Sequence, residues 1–252
     1  MTLIEGVILG AIQGFTEFLP VSSSGHLVLM QEILGIKNPG NEFEILLHVG
    51  TLCSILLVFF KDIKEIVLTL SSKETQNFLF YLTIGTLPAV VIGLGLKDSM
   101  EALFDNIFAV GFALIVTGIT LMSSHYFKQT GREHSLITSF LIGIAQAIAI
   151  IPGISRSGMT ISFALFLGLG SKQAAKFSFL LAIPVISGAG LLMALDMNDG
   201  SNIDVSTSLA GLITSFCVGF ISLKWLLGWL EHGKFHYFGV YCFFIGTLTL
   251  VI

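Results

Sequence analysis

The chain has 252 residues, of which 54% are hydrophobic and 11% charged, with a net charge of −4 and a mean hydropathy of +0.92. Soluble domains carry about 25% charged residues, so this composition predicts an integral membrane protein instead. No basic tail or nucleic-acid motif is present, and we expect no nucleic-acid partner. The three cysteines, Cys53, Cys217 and Cys242, lie in apolar runs without metal-ligand spacing and are interpreted as packing residues.

The first predicted element, about 2–35, does not have the pattern of a single span. Two apolar halves flank a Pro/Ser/Gly break from Pro20 to Gly25, and residues 135–170 show the same arrangement. Each half has about 10 to 17 residues, whereas crossing a bilayer takes about 20. Irregular backbone at membrane depth is tolerated only where it faces protein or a water-filled cavity. Both regions therefore predict re-entrant helical hairpins.

The rest of the chain consists mainly of apolar segments. Five are long enough to cross a bilayer, and a sixth is slightly short: about 43–60, 77–96, 107–127, 177–195, 206–230 and 236–252. The expected fold class is an all-α polytopic membrane protein with about six transmembrane helices and two re-entrant hairpins.

Basic residues cluster in alternate loops, and the positive-inside rule places such loops in the cytoplasm. The cytoplasmic set is Lys61, Lys64, Lys73, Lys128, Arg132, Lys172, Lys176, Lys224 and Lys234. The opposite loops are acidic and contain Asp98, Glu101, Asp105, Asp196, Asp199 and Asp204, with Lys37 and Lys97 as their basic residues. On this topology the first hairpin enters from outside, the second enters from the cytoplasm, and both termini are external.

The two hairpins are related by a constant offset of 133 positions, since 146 − 13 and 155 − 22 both give 133. Gln146 then matches Gln13, and Ser155 matches Ser22. We expect a single membrane domain, 1–252, made of one repeat at about 1–127 and a second at about 135–252. Each repeat is a hairpin plus three spans. Three crossings are an odd number, so the second repeat is inverted, and inverted repeats with broken helices share a site near the midplane.

Glu17 and Arg156 lie in apolar surroundings within the two hairpins. A charge at a helix centre in the membrane costs about 2.5–3.5 kcal/mol on insertion scales, so such residues usually have a function and a partner. One alternative is a purely structural ion pair that joins the hairpins. The other is a functional site.

Serines surround Arg156 and recur in the first hairpin. A guanidinium binds phosphate oxygens through two parallel hydrogen bonds. Ser155 and Ser157 flank it where the second half-helix begins, and helix N-termini favour anions. Ser22, Ser23, Ser24 and Gly25 repeat this pattern. Such serines also cap helices without binding a ligand, but the repeated pattern favours a phosphate cradle.

Gln13 and Glu17 are four residues apart and share one helix face. Glu17 is a candidate general base or, together with Gln13, a ligand for a divalent cation such as Mg²⁺. His26 follows the serine–glycine run and suits proton transfer. Glu44 and His48 share a helix face at the start of a span and are weaker candidates for the entrance of the site.

At these residues the sequence resembles the bacterial undecaprenyl-diphosphatase family, also called the bacitracin-resistance protein family, along essentially the whole chain. The family motif Glu/Gln-x-x-x-Glu followed by Pro-x-Ser-Ser-x-Gly-His is matched by Gln13, Glu17, Pro20, Ser22, Ser23, Gly25 and His26. The motif Pro-Gly-x-Ser-Arg-Ser-x-x-Thr is matched by Pro152, Gly153, Ser155, Arg156, Ser157 and Thr160. The stretch 175–184 is also similar to the family.

The resemblance implies hydrolysis of undecaprenyl diphosphate to the monophosphate, which recycles the lipid carrier for cell-wall synthesis, and bacitracin resistance when the enzyme is abundant. It also implies dependence on a divalent cation, Mg²⁺ or Ca²⁺, and a site in the bacterial inner membrane that opens to the periplasmic or external face. The expected catalytic residues are Glu17, Ser23, His26 and Arg156. Substrate-binding positions are expected at Gln13, Ser22, Ser24, Gly25, Ser155, Ser157 and Thr160. Some family members have Glu at position 13, so a mechanism that needs two carboxylates cannot operate unchanged here.

Several alternatives stay open from the sequence. Inverted repeats with broken helices are also a transporter architecture, so a polyprenyl-phosphate flippase or anion transporter is the second hypothesis. The nucleophile is either Ser23 or a water molecule. The expected partners are the lipid substrate and membrane lipids, and a homodimer is left open. A second class of lipid phosphate phosphatases is rejected, because its Lys-x6-Arg-Pro element is absent.

Overall fold

The computed structural model describes residues 1–36, 41–96, 106–127, 130–195 and 204–251. These ranges contain eleven α-helices, one 3₁₀ turn at Ser124–Tyr126 and no strand. The first six helices are α1 (Leu3–Phe18), α2 (Ser23–Leu34), α3 (Asn41–Val58), α4 (Phe60–Leu68), α5 (Lys73–Gly95) and α6 (Ile107–Ser123). The other five are α7 (Leu136–Ile148), α8 (Arg156–Phe166), α9 (Ser171–Leu195), α10 (Val205–Glu231) and α11 (Tyr237–Val251). The all-helical fold class is confirmed.

Each predicted hairpin region consists of two short helices separated by a break. Capping boxes at Thr2 and Ser135 begin α1 and α7 and satisfy the first free amides of each helix. The serines Ser22 and Ser155 cap α2 and α8 after the breaks. The local sequence therefore stops one half-helix and starts the next in both regions.

Four helices are long and apolar enough to cross a membrane: Lys73–Gly95, Ile107–Tyr126, Ser171–Leu192 and Val205–Glu231. The first predicted span, 43–60, continues beyond Phe59 as α4 at an angle of 67°, and this bent pair supplies a fifth candidate. The predicted sixth span is the 15-residue helix α11, which is shorter than the roughly 20 residues of a full crossing. By length and composition, the described helices thus supply four or five of the six expected spans.

Glycines allow four helices to pack backbone to backbone in two pairs. A Cβ added to Gly10 of α1 would lie 2.5 Å from the Gly211 carbonyl oxygen of α10. A Cβ on Gly143 of α7 would lie 2.6 Å from the Gly85 carbonyl oxygen of α5. Gly10 and Gly143 differ by the offset of 133 (143 − 10). The half-helices α1 and α7 therefore both pack against a long helix through glycine contacts.

The four predicted basic regions meet at one end of the bundle. Lys176 Nζ lies 2.6 Å from Asp62 Oδ1 of α4, and Lys172 Nζ lies 3.2 Å from Glu231 Oε1 of α10. The Arg132 amide donates to the Gly168 carbonyl at 3.2 Å, beside the start of α9. The opposite loops lie largely outside the described residues, including Lys37, Lys97, Asp98, Glu101, Asp105, Asp196 and Asp199, as does Lys128.

Candidate active site

Glu17 and Arg156 form a buried ion pair that joins the two hairpins. Glu17 lies in the last turn of α1, and Arg156 is the first residue of α8. Arg156 Nη2 donates to Glu17 Oε1 at 2.8 Å, with side-chain exposures of 15% and 7%. Each charge compensates the other in a place where a lone charge would be costly. The two residues predicted from their apolar surroundings are therefore partners.

The second oxygen of Glu17 is also surrounded by polar groups. Ser23 Oγ donates to Glu17 Oε2 at 2.8 Å, and Gln13 Nε2 donates to the same oxygen at 3.1 Å. His48 Nε2 lies 4.0 Å from Oε2. His48, expected at the entrance of the site, therefore reaches its central carboxylate. Its Nδ1 is 2.9 Å from the Glu44 carbonyl oxygen, which fixes the orientation of the ring.

The serine contacts at the two breaks share one pattern. Ser22 Oγ accepts from the Gly25 amide at 3.3 Å and lies 3.2 Å from Ser24 Oγ. Ser155 Oγ accepts from the Gly158 amide at 3.1 Å and lies 3.3 Å from Ser157 Oγ. Both serines are therefore helix caps. Because a cap satisfies only one of the free amides of a helix N-terminus, capping and anion binding are compatible.

The tips of the hairpins touch through small residues. A Cβ on Gly25 would lie 3.1 Å from Gly153 Cα, and a Cβ on Gly158 would lie 3.3 Å from Pro20 Cβ. Adding 133 to 20 and 25 gives 153 and 158, so the two contacts are related by the same offset. The close approach brings the N-termini of α2 and α8 together.

Ser178 of α9 contacts Arg156 directly and also through Thr160. Its carbonyl oxygen accepts from Arg156 Nη1 at 3.5 Å, and its hydroxyl lies 2.6 Å from Thr160 Oγ1. Thr160 Oγ1 in turn donates to the Arg156 carbonyl at 2.9 Å. Thr160 thus contacts the backbone of Arg156, while Ser178 was not predicted. Its one sequence signal was its place in the stretch 175–184 that resembles the family.

His26, which the sequence predicts to transfer a proton, is held by a backbone carbonyl and a tyrosine. Its Nδ1 is 2.8 Å from the Ser22 carbonyl oxygen, and its Nε2 is 2.9 Å from the Tyr241 hydroxyl. The acceptor that Ser23 contacts is Glu17. Tyr241 was missed, because a tyrosine in an apolar helix carries no distinguishing sequence signal.

Among the described residues no group of three or more His, Cys, Asp or Glu side chains could hold a metal ion. The available oxygen donors are the Glu17 carboxylate and Gln13 Oε1. Gln13 is fully buried, and its Oε1 has no hydrogen-bond partner in the described structure. A carboxylate and an amide carbonyl are ligands that Mg²⁺ and Ca²⁺ accept, so this donor set fits a divalent cation.

Comparisons with known proteins agree with the geometry. Residues 6–248 match the family model described as bacitracin resistance protein BacA. A protein named undecaprenyl-diphosphatase from Desulfosudis oleivorans is 42% identical over 273 residues, covering 100% of this chain and 99% of the relative. Proteins of the same name from Christiangramia forsetii and Methanosphaera stadtmanae are 40% and 38% identical, each covering 100% of this chain and 98% of the relative. This multi-pass membrane chain therefore belongs to the BacA bacitracin resistance protein family.

Proposed function

We propose that the chain is a membrane phosphatase that hydrolyses undecaprenyl diphosphate to undecaprenyl phosphate and phosphate. The names of its full-length relatives support this activity. The observation that carries it is the Glu17 carboxylate, which accepts from Arg156 Nη2 on one oxygen and from Ser23 Oγ on the other, both at 2.8 Å. The guanidinium proposed to bind phosphate and the hydroxyl proposed as the nucleophile therefore each contact one oxygen of the same carboxylate.

Arg156 is the proposed binding group for the diphosphate. Its guanidinium suits two phosphate oxygens, and the N-termini of α2 and α8 add amides that favour negative charge. Ser22, Ser24, Gly25, Ser155 and Ser157 line these N-termini, while Thr160 and Ser178 hold Arg156. Donors that are in place before reaction stabilise the charge that develops on the phosphoryl oxygens.

The net reaction transfers the terminal phosphoryl group to water. An oxygen nucleophile bonds to the terminal phosphorus while the anhydride P–O bond breaks, and the bond electrons leave with the lipid monophosphate. The contact from Ser23 Oγ to Glu17 Oε2 supports Ser23 as this nucleophile, with Glu17 accepting its proton. Water would then hydrolyse the phosphoserine. If water attacks directly, Glu17 accepts the proton of the water instead.

Glu17 and Gln13 would hold the divalent cation, since Gln13 Oε1 is buried and has no partner among the described residues. A bound Mg²⁺ or Ca²⁺ supplies charge neutralisation at phosphoryl oxygens. Some family members have a Glu carboxylate at position 13, where this chain has Gln, so Glu17 alone carries the charge of this donor set.

The repeated hydrogen bonds of the two breaks support a single domain of two inverted repeats, about 1–127 and 135–252. The meeting of Lys176, Asp62, Lys172 and Glu231 at one end supports a common cytoplasmic side for the basic regions. The site then opens to the external face. Thiol labelling of cysteines placed at Asp204 and at Lys234, in a background without native cysteines, tests this orientation. Cytoplasmic labelling at Asp204 would contradict it.

The decisive experiment is phosphate release from a long-chain prenyl diphosphate by the purified protein in detergent, with Mg²⁺ or Ca²⁺ present. We expect release by the wild type and by Arg132→Ala, an exposed control, and none by Arg156→Ala that still folds. Wild-type protein that releases no phosphate would favour the transport hypothesis, which the inverted-repeat architecture also permits. Near wild-type release by Arg156→Ala would contradict the cradle.

A further inference from the structure

His26 and Tyr241 form a side-chain pair between helices that are distant in sequence. His26 lies in the first turns of α2, and Tyr241 lies in the first turns of α11. Their rings are stacked, with centroids 5.7 Å apart and an interplanar angle of 14°. The Tyr241 hydroxyl is 2.9 Å from His26 Nε2. Tyr241 thus contacts the ring nitrogen of His26 opposite the one that lies against the Ser22 carbonyl.

The backbone contact determines the tautomer of His26. Its Nδ1 is 2.8 Å from the carbonyl oxygen of Ser22, and a carbonyl oxygen can only accept a hydrogen bond. Nδ1 therefore carries the proton. The lone pair of the neutral ring is on Nε2, where the Tyr241 hydroxyl donates to it. The nitrogen that would exchange a proton during turnover is held by a phenol.

A tyrosine hydroxyl is suited to this position because it both donates and accepts. It donates to Nε2 while His26 is neutral, and it accepts from Nε2–H once His26 has taken up a proton. Ser22 keeps its own hydrogen bond in both states. The Ser22 carbonyl holds Nδ1, and Tyr241 holds Nε2 and stacks on the ring. Together they keep the imidazole in one plane while it gains and loses a proton.

We propose that Tyr241 is a positioning residue that fixes the Nδ1–H tautomer and the ring plane of His26. The proposal rests on the proposed function, to which it adds proton transfer by His26, the role that the sequence predicts for this residue. Tyr241 touches no reacting atom itself. It keeps the basic nitrogen of His26 presented in one direction and exchanges its hydrogen bond as the proton arrives or leaves.

Tyr241→Phe tests the proposal, because it removes the hydroxyl and keeps the stacked ring. Tyr237→Phe is a matched control on the same helix, beside a histidine outside the site: its ring lies 4.3 Å from that of His236. The first measurement is ¹⁵N NMR of histidine-labelled protein, with His26 assigned from the spectrum of His26→Gln. We expect an unprotonated, hydrogen-bonded Nε2 in the wild type and in Tyr237→Phe. In Tyr241→Phe this resonance should move toward that of a free imine nitrogen.

The second measurement is steady-state hydrolysis by the same three proteins. We expect Tyr241→Phe to lower kcat by about tenfold, a fraction of what general acid–base catalysis contributes, with KM and the melting temperature unchanged. An unchanged Nε2 resonance, or a kcat within about twofold of wild type, overturns the positioning role. Failure of the proposed function is distinguishable, because it would show as a wild type without phosphate release whatever the tautomer.

Discussion

Gly25 of the first hairpin lies against Gly153 of the second, where a Cβ on Gly25 would be 3.1 Å from the Gly153 Cα. Gly153 has φ +93°, and a Cβ there would meet the Val110 carbonyl oxygen at 2.5 Å. A side chain at position 25 would therefore press on the second hairpin, and a side chain at position 153 would collide with α6.

Gly153→Ala should destabilise the protein and abolish phosphate release. Gly131→Ala is the matched control, because Gly131 also has a positive φ of +69° but nothing within 4 Å of its Cβ position. The control should lose only the stability that a left-handed backbone conformation costs an alanine, about 1–2 kcal/mol. Melting temperatures in detergent compare the two variants. Equal losses would mean that strain at φ > 0, and not the collision with Val110 of α6, determines the effect.

Single and double substitutions of Glu17 and Arg156 should have different effects on stability and on activity. Glu17→Gln and Arg156→Met each leave one buried charge without its partner, which typically costs about 3–5 kcal/mol. The double variant removes both charges and should recover most of the lost stability. It should still release no phosphate, because the guanidinium proposed to bind phosphate and the proposed base are both gone. A double variant with substantial activity would reduce the pair to a structural link between hairpins.

The sequence predicted the parts of the site that carry a local signal. The breaks are marked by Pro, Gly and Ser, and Glu17 and Arg156 stand out because charges are rare in apolar helices. Tyr241 and Ser178 could not be predicted in this way. Tyr241 lies 215 positions from His26, and its helix is apolar apart from residues that any span tolerates. Tertiary packing, not local pattern, brings them to the site.

The same distinction holds for the fold. The lengths of the hydrophobic runs located most of the long helices, because such runs are local features of the sequence. The 67° bend after Val58 was not predicted, since no Pro or Gly marks it. The charged residues Lys61 and Asp62 signal that the apolar run ends, and the pairing of Asp62 with Lys176 of α9 helps to fix where α4 lies.

Thr160→Val should weaken the support of Arg156 while keeping the side-chain shape. The substitution removes the hydroxyl that lies 2.6 Å from Ser178 Oγ and donates to the Arg156 carbonyl at 2.9 Å. Leaving a buried hydroxyl without its partner costs about 1–3 kcal/mol. We expect kcat/KM to fall by about tenfold, which corresponds to about 1.4 kcal/mol of lost alignment in the transition state.

Ser162→Ala is the control for Thr160→Val. Ser162 is fully buried in the same helix, and its hydroxyl has no hydrogen-bond partner among the described residues. Deleting it removes a desolvated polar group, so stability should stay the same or rise and activity should be retained. Equal losses of activity in the two variants would show that α8 tolerates no cavity, and that Thr160 has no specific role.

His134 should make stability depend on pH at the start of α7, before the apolar helix begins. Burial lowers the pKa of His134 from 6.5 to about 4, and its ring stacks on Phe177 with centroids 4.3 Å apart. The unfolded chain therefore binds a proton near pH 6.5, whereas the folded chain binds it only near pH 4. Since the unfolded state binds more protons in this window, stability falls as pH drops through it and is independent of this group above it.

His134→Phe should remove that dependence, because phenylalanine keeps the aromatic packing and has no proton to bind. Melting temperatures measured from about pH 7 to about pH 5 should fall less steeply in this variant than in the wild type. His232→Phe, at an exposed histidine whose Nδ1 contacts the Gly228 carbonyl, is the same substitution made outside this aromatic contact and is measured alongside. A His134→Phe protein with the wild-type slope would assign the acid sensitivity to other groups, since the neutral ring between Phe78 and Phe177 would then contribute nothing to it.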